Sequence, residues 1–239
     1  MTAILILAHP GHELRIFHWM EQARPIVHIL TDGSGGNQSS RTDHSRETLL
    51  AAGATTGSVF GQMPDKEWYA AILAGNAAPF IEASKAMLDS VAVAAAVTVV
   101  ADAVDGYNPV HDLTGAIGAA VAARLRAAGA AVTHLVSAAV PGVAGARHLE
   151  LPLDAAARER KMAAVHAYAP LAEEARRIAE EAPEAFGREV LMRQDFDWPD
   201  DFEPHWEKFA KERVASGRYS NPITYRDHVR PIAQAILGL

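Results

Sequence analysis

The sequence predicts an α/β fold: a Rossmann-like, doubly wound and mostly parallel sheet with helices on both faces. Three observations predict it. The first 32 residues read strand, helix, strand; later apolar runs of strand length alternate with alanine-rich helical stretches; and polar, glycine-bearing turns follow the strands. Residues 2–8 (TAILILA) are nearly all apolar and stop at His9-Pro10-Gly11, as suits a strand buried on both faces of a parallel sheet. Residues 12–22 place Leu14, Ile16, Phe17 and Met20 at helical spacing, Pro25 ends that helix, and residues 26–31 (IVHILT) make the second strand. The three form a βαβ unit, whose crossover is expected to be right-handed.

Residues 32–44 are rich in Gly, Ser, Asn, Asp and Thr and read as a polar surface loop after a strand's carboxyl end. A helix is expected over 45–56, strands over 97–101 and 131–138, and a strong helix over 112–128 between them, with Gly129 where a helix C-cap glycine belongs. Residues 153–181 are helical in pattern, and Pro170 should kink or divide that stretch. Beyond residue 183 the character changes to Trp198, Trp206, Phe202, Phe209, Tyr219 and Tyr225 among scattered prolines and charges. The expected organisation is therefore an α/β domain over 1–182 and an irregular aromatic arm over 183–239, packed on that domain or against a second subunit. A homo-oligomer is one expectation that follows.

Composition removes several classes of function. The net charge of −7 argues against general nucleic-acid binding, which needs a basic footprint. There is no cysteine, so disulfides, thiolate zinc sites and cysteine nucleophiles are excluded together, and a metal would be held by His, Asp or Glu. The longest nearly apolar run, 91–101, is too short to span a bilayer, and the N-terminus lacks the basic region of a signal peptide. The expectation is a soluble cytoplasmic protein acting on a small molecule.

Two motifs carry the candidate chemistry. In His9-Pro10-Gly11-His12-Glu13 the first His ends a strand and the second opens the next helix, so the two imidazoles can face one point outside the strand's carboxyl end. In Asp102-Ala103-Val104-Asp105-Gly106-Tyr107-Asn108-Pro109-Val110-His111-Asp112, His111 falls at a helix start after another apolar strand. Together His9, His12 and His111 make three ligands with an open position, the arrangement of catalytic zinc. Asp102, Asp105 and Asp112 are candidates to orient the imidazoles.

These motifs resemble those of the PIG-L/LmbE-type zinc N-deacetylases, which carry His-Pro-Asp-Asp-Glu after the first strand and His-Pro-Asp-His before a later helix. The Thr31-Asp32-Gly33 turn, Arg46-Glu47, Leu153-Asp154, the segment Arg158 to Lys161, and Ala167-Tyr168 are also similar to the family. The likeness covers about residues 1–180 and leaves the aromatic tail unmatched. It implies a zinc ion on His9, His12 and His111, with His12 in the place of a family carboxylate. That exchange raises the charge of the site by one and should favour a more acidic bound water or an anionic substrate.

The likeness also implies a hydrolase that removes an N-acyl group from an amino sugar or glycosylated metabolite. Two departures bear on that reading. Gly11 stands where the family has its general-base Asp, and Asn108 stands where a His often supports the tetrahedral intermediate. Glu13, Asp105 and Asp112 are the nearby replacements, Glu13 and Asp105 before Asp112, and the Asn108 amide can donate to an oxyanion. Arg41 and Arg46, flanking the end of the polar loop, are candidates to hold a substrate's phosphate, carboxylate or hydroxyls, with solvated surface charges as the alternative. Gly33-Ser34-Gly35-Gly36 lacks the spacing and the lysine of a P-loop and reads as a rim to the pocket. Alternative readings are a divergent three-His metalloenzyme with different chemistry and a non-catalytic sugar-binding relative.

Overall fold

The computed structural model describes residues 2–35, 39–91, 95–181, 183–218 and 220–239; Gly36 and Tyr219 lie outside them. The strands are β1 (Thr2–Leu7), β2 (Ile26–Thr31), β3 (Thr55–Met63), β4 (Ala96–Asp102), β5 (Ala131–Ser137), β6 (Ala146–Pro152) and β7 (Arg188–Arg193). They form one sheet in the order β3-β2-β1-β4-β5-β7-β6. The first five are parallel, and β7 runs antiparallel to both β5 and β6. The α/β, mostly parallel fold class read from the sequence is the one observed.

The helices are α1 (Phe17–Ala23), α2 (Thr42–Ala52), α3 (Asp65–Leu73), α4 (Ala78–Asp89), α5 (Pro109–Ala127), α6 (Ala155–Ala167), α7 (Ala172–Glu181), α8 (His205–Ala215) and α9 (Arg230–Leu237). Alternation along β1 divides them between two layers. Ile4, Ile6 and Ala8 face a core shared with Trp68 of α3, Phe80 of α4, Ile117 of α5, Trp206 of α8 and Ile232 of α9. Leu5 and Leu7 face the opposite core, with Phe17 and Met20 of α1 and Leu49 of α2. Both faces are covered, which is why β1 reads as an unbroken apolar run rather than an alternating one.

Strand order reverses between β1 and β4, because the chain winds outward from β1 through β2 and β3 and then crosses to β4 and β5. The carboxyl ends of β1 and β4 therefore lie side by side at a topological switch point, where open α/β sheets form their binding crevice. The two histidine motifs follow these two strands. Gly129 has φ +92° just past the Ala128 C-cap, as the sequence indicates. Pro170 does divide the long helix, giving α6, a short 3₁₀ turn over Ala169–Leu171, and α7.

Several boundaries differ from expectation. α2 starts at Thr42 and ends at Ala52, so Thr55 and Thr56 open an unanticipated strand, β3. The segment expected as one helix from residue 12 begins as a 3₁₀ turn over His12–Ile16 before α1. The tail is not irregular throughout. It contains β7, α8 and α9, and its Trp198, Trp206, Tyr225 and Ile232 join the main core. A division at residue 183 falls between β6 and its hydrogen-bonded neighbour β7. No helix among the described residues is long and apolar enough to cross a membrane.

One buried histidine away from the motifs makes folding sensitive to acid. His28 of β2 is fully buried, and its Nδ1 accepts from the Val59 amide at 3.3 Å. Gly57 leaves room for the ring, since a Cβ there would meet it. Burial pushes this imidazole down to about 4 from 6.5. Between those values the unfolded chain takes up a proton that the folded chain refuses, so stability is full above pH 6.5 and falls as pH drops through the interval. The loss at the acid end is about 3 kcal/mol from this residue. In urea unfolding at pH 7 and pH 4.5, wild type should lose more stability on acidification than His28→Gln. Equal losses would contradict this assignment.

Candidate metal centre

β1 ends at Leu7, and the chain turns through Ala8, His9, Pro10 and Gly11 into the 3₁₀ segment that starts at His12. The turn depends on Gly11, whose φ is +105°, a left-handed conformation that side chains with a Cβ rarely adopt. A Cβ on Gly11 would also press on the Leu171 side chain. The Gly11 amide donates to Glu13 Oε2 at 2.8 Å, so Glu13 closes the turn from within.

After β4, the second loop is pinned by α5. Asn108 is the N-cap of α5, with its Oδ1 accepting from the Val110 amide at 2.8 Å, and Pro109 opens the first turn. His111 therefore sits in the first turn of α5, facing the end of β1.

The three imidazoles meet at this crevice. Ring centroids are 5.4 Å apart for His9 and His12, 5.1 Å for His9 and His111, and 4.7 Å for His12 and His111. His9 and His111 are buried and His12 is half-buried, so the cluster opens on the His12 side. Each ring is held through Nδ1. His9 Nδ1 lies 2.9 Å from Thr31 Oγ1 and 3.1 Å from Asp65 Oδ1. His12 Nδ1 donates to Asp102 Oδ2 at 2.8 Å, and His111 Nδ1 donates to Asp105 Oδ2 at 2.8 Å. A carboxylate on Nδ1 fixes the tautomer that leaves Nε2 as the acceptor, as behind metal-binding imidazoles. His9 Nε2 is indeed buried without a hydrogen-bond partner.

Charges follow from burial and from these pairs. Burial lowers the pKa of His9 and lowers that of His12 further, so both are neutral at neutral pH. Burial resists ionisation of Asp102, but the adjacent His12 and Arg15 outweigh it and hold the carboxyl far below its usual range. Burial likewise opposes ionisation of Asp65, yet its contacts with His9 bring it down to about 2. Asp102 also accepts from the Ala8 amide at 2.7 Å and from Arg15, joining the ends of β1 and β4.

Among the described residues, no three His, Asp or Glu side chains are already gathered as a metal-holding group. The ring spacing nonetheless fits one. Three imidazoles with Nε2 about 2.0–2.1 Å from a tetrahedral zinc have centroids about 5 Å apart. The unpartnered His9 Nε2, the neutral donors and the carboxylate on each Nδ1 make this a donor set suited to a divalent ion.

The other expected site residues have different surroundings. Asp105 has both oxygens engaged, Oδ2 by His111 and Oδ1 by the Tyr107 amide at 2.8 Å. Glu13 is fully buried against the turn, and burial raises its pKa. Asp112 does not reach an imidazole. It accepts from the Asp105 and Gly106 amides at 2.9 Å each and from Trp206 Nε1 at 2.7 Å, fastening the loop to the C-terminal segment. Arg41 Nε donates to the Gly33 carbonyl at 2.8 Å, and Arg46 lies over the Phe60 ring, 4.7 Å from its centroid.

Sequence reasoning missed Asp65 and Arg15. Asp65 follows β3, whose apolar pattern is too weak to mark a strand; Pro64-Asp65 after that strand's end is the available signal. Arg15 is three residues from His12, the spacing that places two side chains on one helix face.

No family model matches the chain, and no curated protein matches it. The likeness to the N-deacetylases therefore rests on the motifs alone.

The backbone at Gly11 is directly testable. Gly11→Ala should cost about 1–3 kcal/mol, from the positive φ and the displaced Leu171. Urea titration should show a lower midpoint at unchanged slope. An unchanged midpoint would mean that the turn does not require glycine.

Proposed function

We propose that this protein is a metal-dependent hydrolase that removes an N-acyl group from an amino sugar or glycosylated metabolite. His9, His12 and His111 hold the divalent ion, zinc in the first instance. The observation that carries the reading is the triad of imidazoles at 4.7–5.4 Å, each tied at Nδ1. The acyl-transfer chemistry is supported by the motif resemblance.

A bound divalent ion supplies Lewis acidity toward an amide carbonyl and lowers the pKa of water. The chain supplies the orientation. Asp65, Asp102 and Asp105 keep each ring in the tautomer with a free Nε2. The Asn108 side chain is steered by its capping bond, which leaves its amide N–H groups as the donors it can offer to a developing oxyanion. Gly11 offers no proton acceptor, Asp105 has both oxygens engaged, and Glu13 is fully buried with Oε2 held in the turn, its Oε1 facing the interior without a partner. Turnover is therefore expected about 10²–10⁴ below that of a site with a positioned base.

The glycine at position 11 and the full engagement of Asp105 favour a second reading, a three-His metalloenzyme with different chemistry. Imidazole ligands also suit iron, copper and nickel.

Elemental analysis of protein purified without added metal should give one divalent ion per chain, zinc under the first reading and a redox metal under the second. His111→Ala should abolish binding, and Asp102→Asn should weaken zinc affinity about 10–100-fold. Zinc-loaded protein should slowly release acetate from a panel of N-acetyl amino sugars. Full zinc occupancy with no release from any of them would overturn the hydrolase reading and leave a sugar-binding relative.

A further inference from the structure

The three carboxylates behind the imidazoles are anchored differently. Asp102 ends β4 and Asp65 opens α3, so regular structure fixes both. Asp105 lies between β4 and α5, outside any strand or helix, yet its buried carboxylate holds His111 Nδ1 at 2.8 Å. A loop has no ladder of backbone hydrogen bonds, so its neighbours must fix it.

Asp112 is the first of those neighbours. Its fully buried carboxylate accepts from the Asp105 and Gly106 amides through Oδ1, at 2.9 Å each, and from Trp206 Nε1 through Oδ2, at 2.7 Å. Trp206 is the second, and it comes from 94 residues further along the chain. Its backbone amide lies in the first turn of α8, where an N–H has no partner within the helix, and donates to the Gly106 carbonyl at 3.0 Å. Gly106 turns with φ +65°, and Phe202 and Pro204 lie so close that a Cβ there would meet both. The loop sits in a socket built by residues 202–206.

Both N–H groups of Trp206 therefore end on the one segment that backs His111. Trp68, also buried, donates its indole N–H to the Leu30 carbonyl and touches no part of the cluster's support. From Trp206 the path is continuous: the indole N–H to Asp112, Asp112 to the Asp105 amide, and the Asp105 carboxylate to the His111 ring. Hydrogen bonds behind a ligating imidazole set its orientation and its basicity. We infer that Trp206 is a positioning residue of the metal centre, acting through Asp112 and Asp105 to aim His111 and so to set the site's affinity for its ion. The C-terminal segment is then a working part of the site as well as a cover for the core. The inference rests on the metal-binding reading and is independent of the reaction proposed for it.

The test measures zinc affinity of the folded full chain by chelator competition, beside its stability in urea. Trp206→Phe keeps a ring and removes the N–H, and should weaken zinc binding about tenfold, the low end of the range for groups behind metal-bound imidazoles. Asp112→Asn, which keeps the side chain's size, should weaken it similarly. Trp198→Phe is the control, since Trp198 is equally buried in the same segment and stacks on Tyr225. It should lower the unfolding midpoint and leave zinc affinity unchanged. In metal-free protein, the ring Nδ1–H signal of His111 in ¹H–¹⁵N spectra should shift in Trp206→Phe, and that of His12 should stay. Unchanged zinc affinity in folded Trp206→Phe, an equal loss in Trp198→Phe, or an unmoved His111 signal would overturn the positioning role. If wild type binds zinc and Trp206→Phe matches it, the positioning role alone has failed. If wild type binds no zinc, the metal reading fails and this role with it.

Discussion

At the end of β4, the buried carboxylate of Asp102 accepts hydrogen bonds from the Ala8 amide, from His12 and from Arg15. A charge taken fully out of water persists only where such partners surround it. Here the partners come from the end of β1 and from the turn that follows it, so satisfying one carboxylate aligns both halves of the crevice. The switch point in strand order brings the two chain ends together, and Asp102 sets their register to within a hydrogen bond. His111 and Asp105 are then added by the next loop, which Asn108 caps and Asp112 ties to Trp206.

The same carboxylate modifies the electrostatics expected from the sequence. The resemblance implies a neutral imidazole, His12, where a carboxylate would touch the ion; the structure puts the Asp102 carboxylate directly behind that imidazole. Arg15 offsets part of that charge. Meanwhile Gly11 carries no acceptor, Asp105 is engaged at both oxygens, and the Glu13 carboxyl is fully buried. The arrangement is better organised for holding an ion than for moving protons, which is why the proposed hydrolysis is expected to be slow.

Much of this was legible in the sequence because it is written in short segments. An apolar run broken by His-Pro-Gly-His, and a second run followed by a capping Asn-Pro before His111, specify strand ends and helix starts locally. The sheet's outer strands were harder to read. β3 buries only Val59 and Phe60 and contains Gly57 and Gly61, so it lacks the continuous apolar signature of β1, and no strand pattern marks Asp65 just beyond it. In the tail, prolines suggested irregular structure, yet Pro204 is the N-cap of α8 and Pro231 lies in the first turn of α9, where a missing N–H does no harm. The partners of Asp102 are about 90 residues away in sequence, as is the Trp206 partner of Asp112, and no local pattern encodes them.

In the proposed site, His9, His12 and His111 hold one ion through Nε2 while carboxylates grip Nδ1. A crystal structure of the zinc-loaded chain, with anomalous data collected on both sides of the zinc edge, tests it most directly. If the three imidazoles hold zinc, one edge-specific peak lies about 2.0–2.1 Å from all three Nε2 atoms, with Asp102 and Asp105 still on the Nδ1 atoms of His12 and His111. A zinc peak elsewhere, or coordination through Nδ1 with those carboxylates displaced, would contradict it.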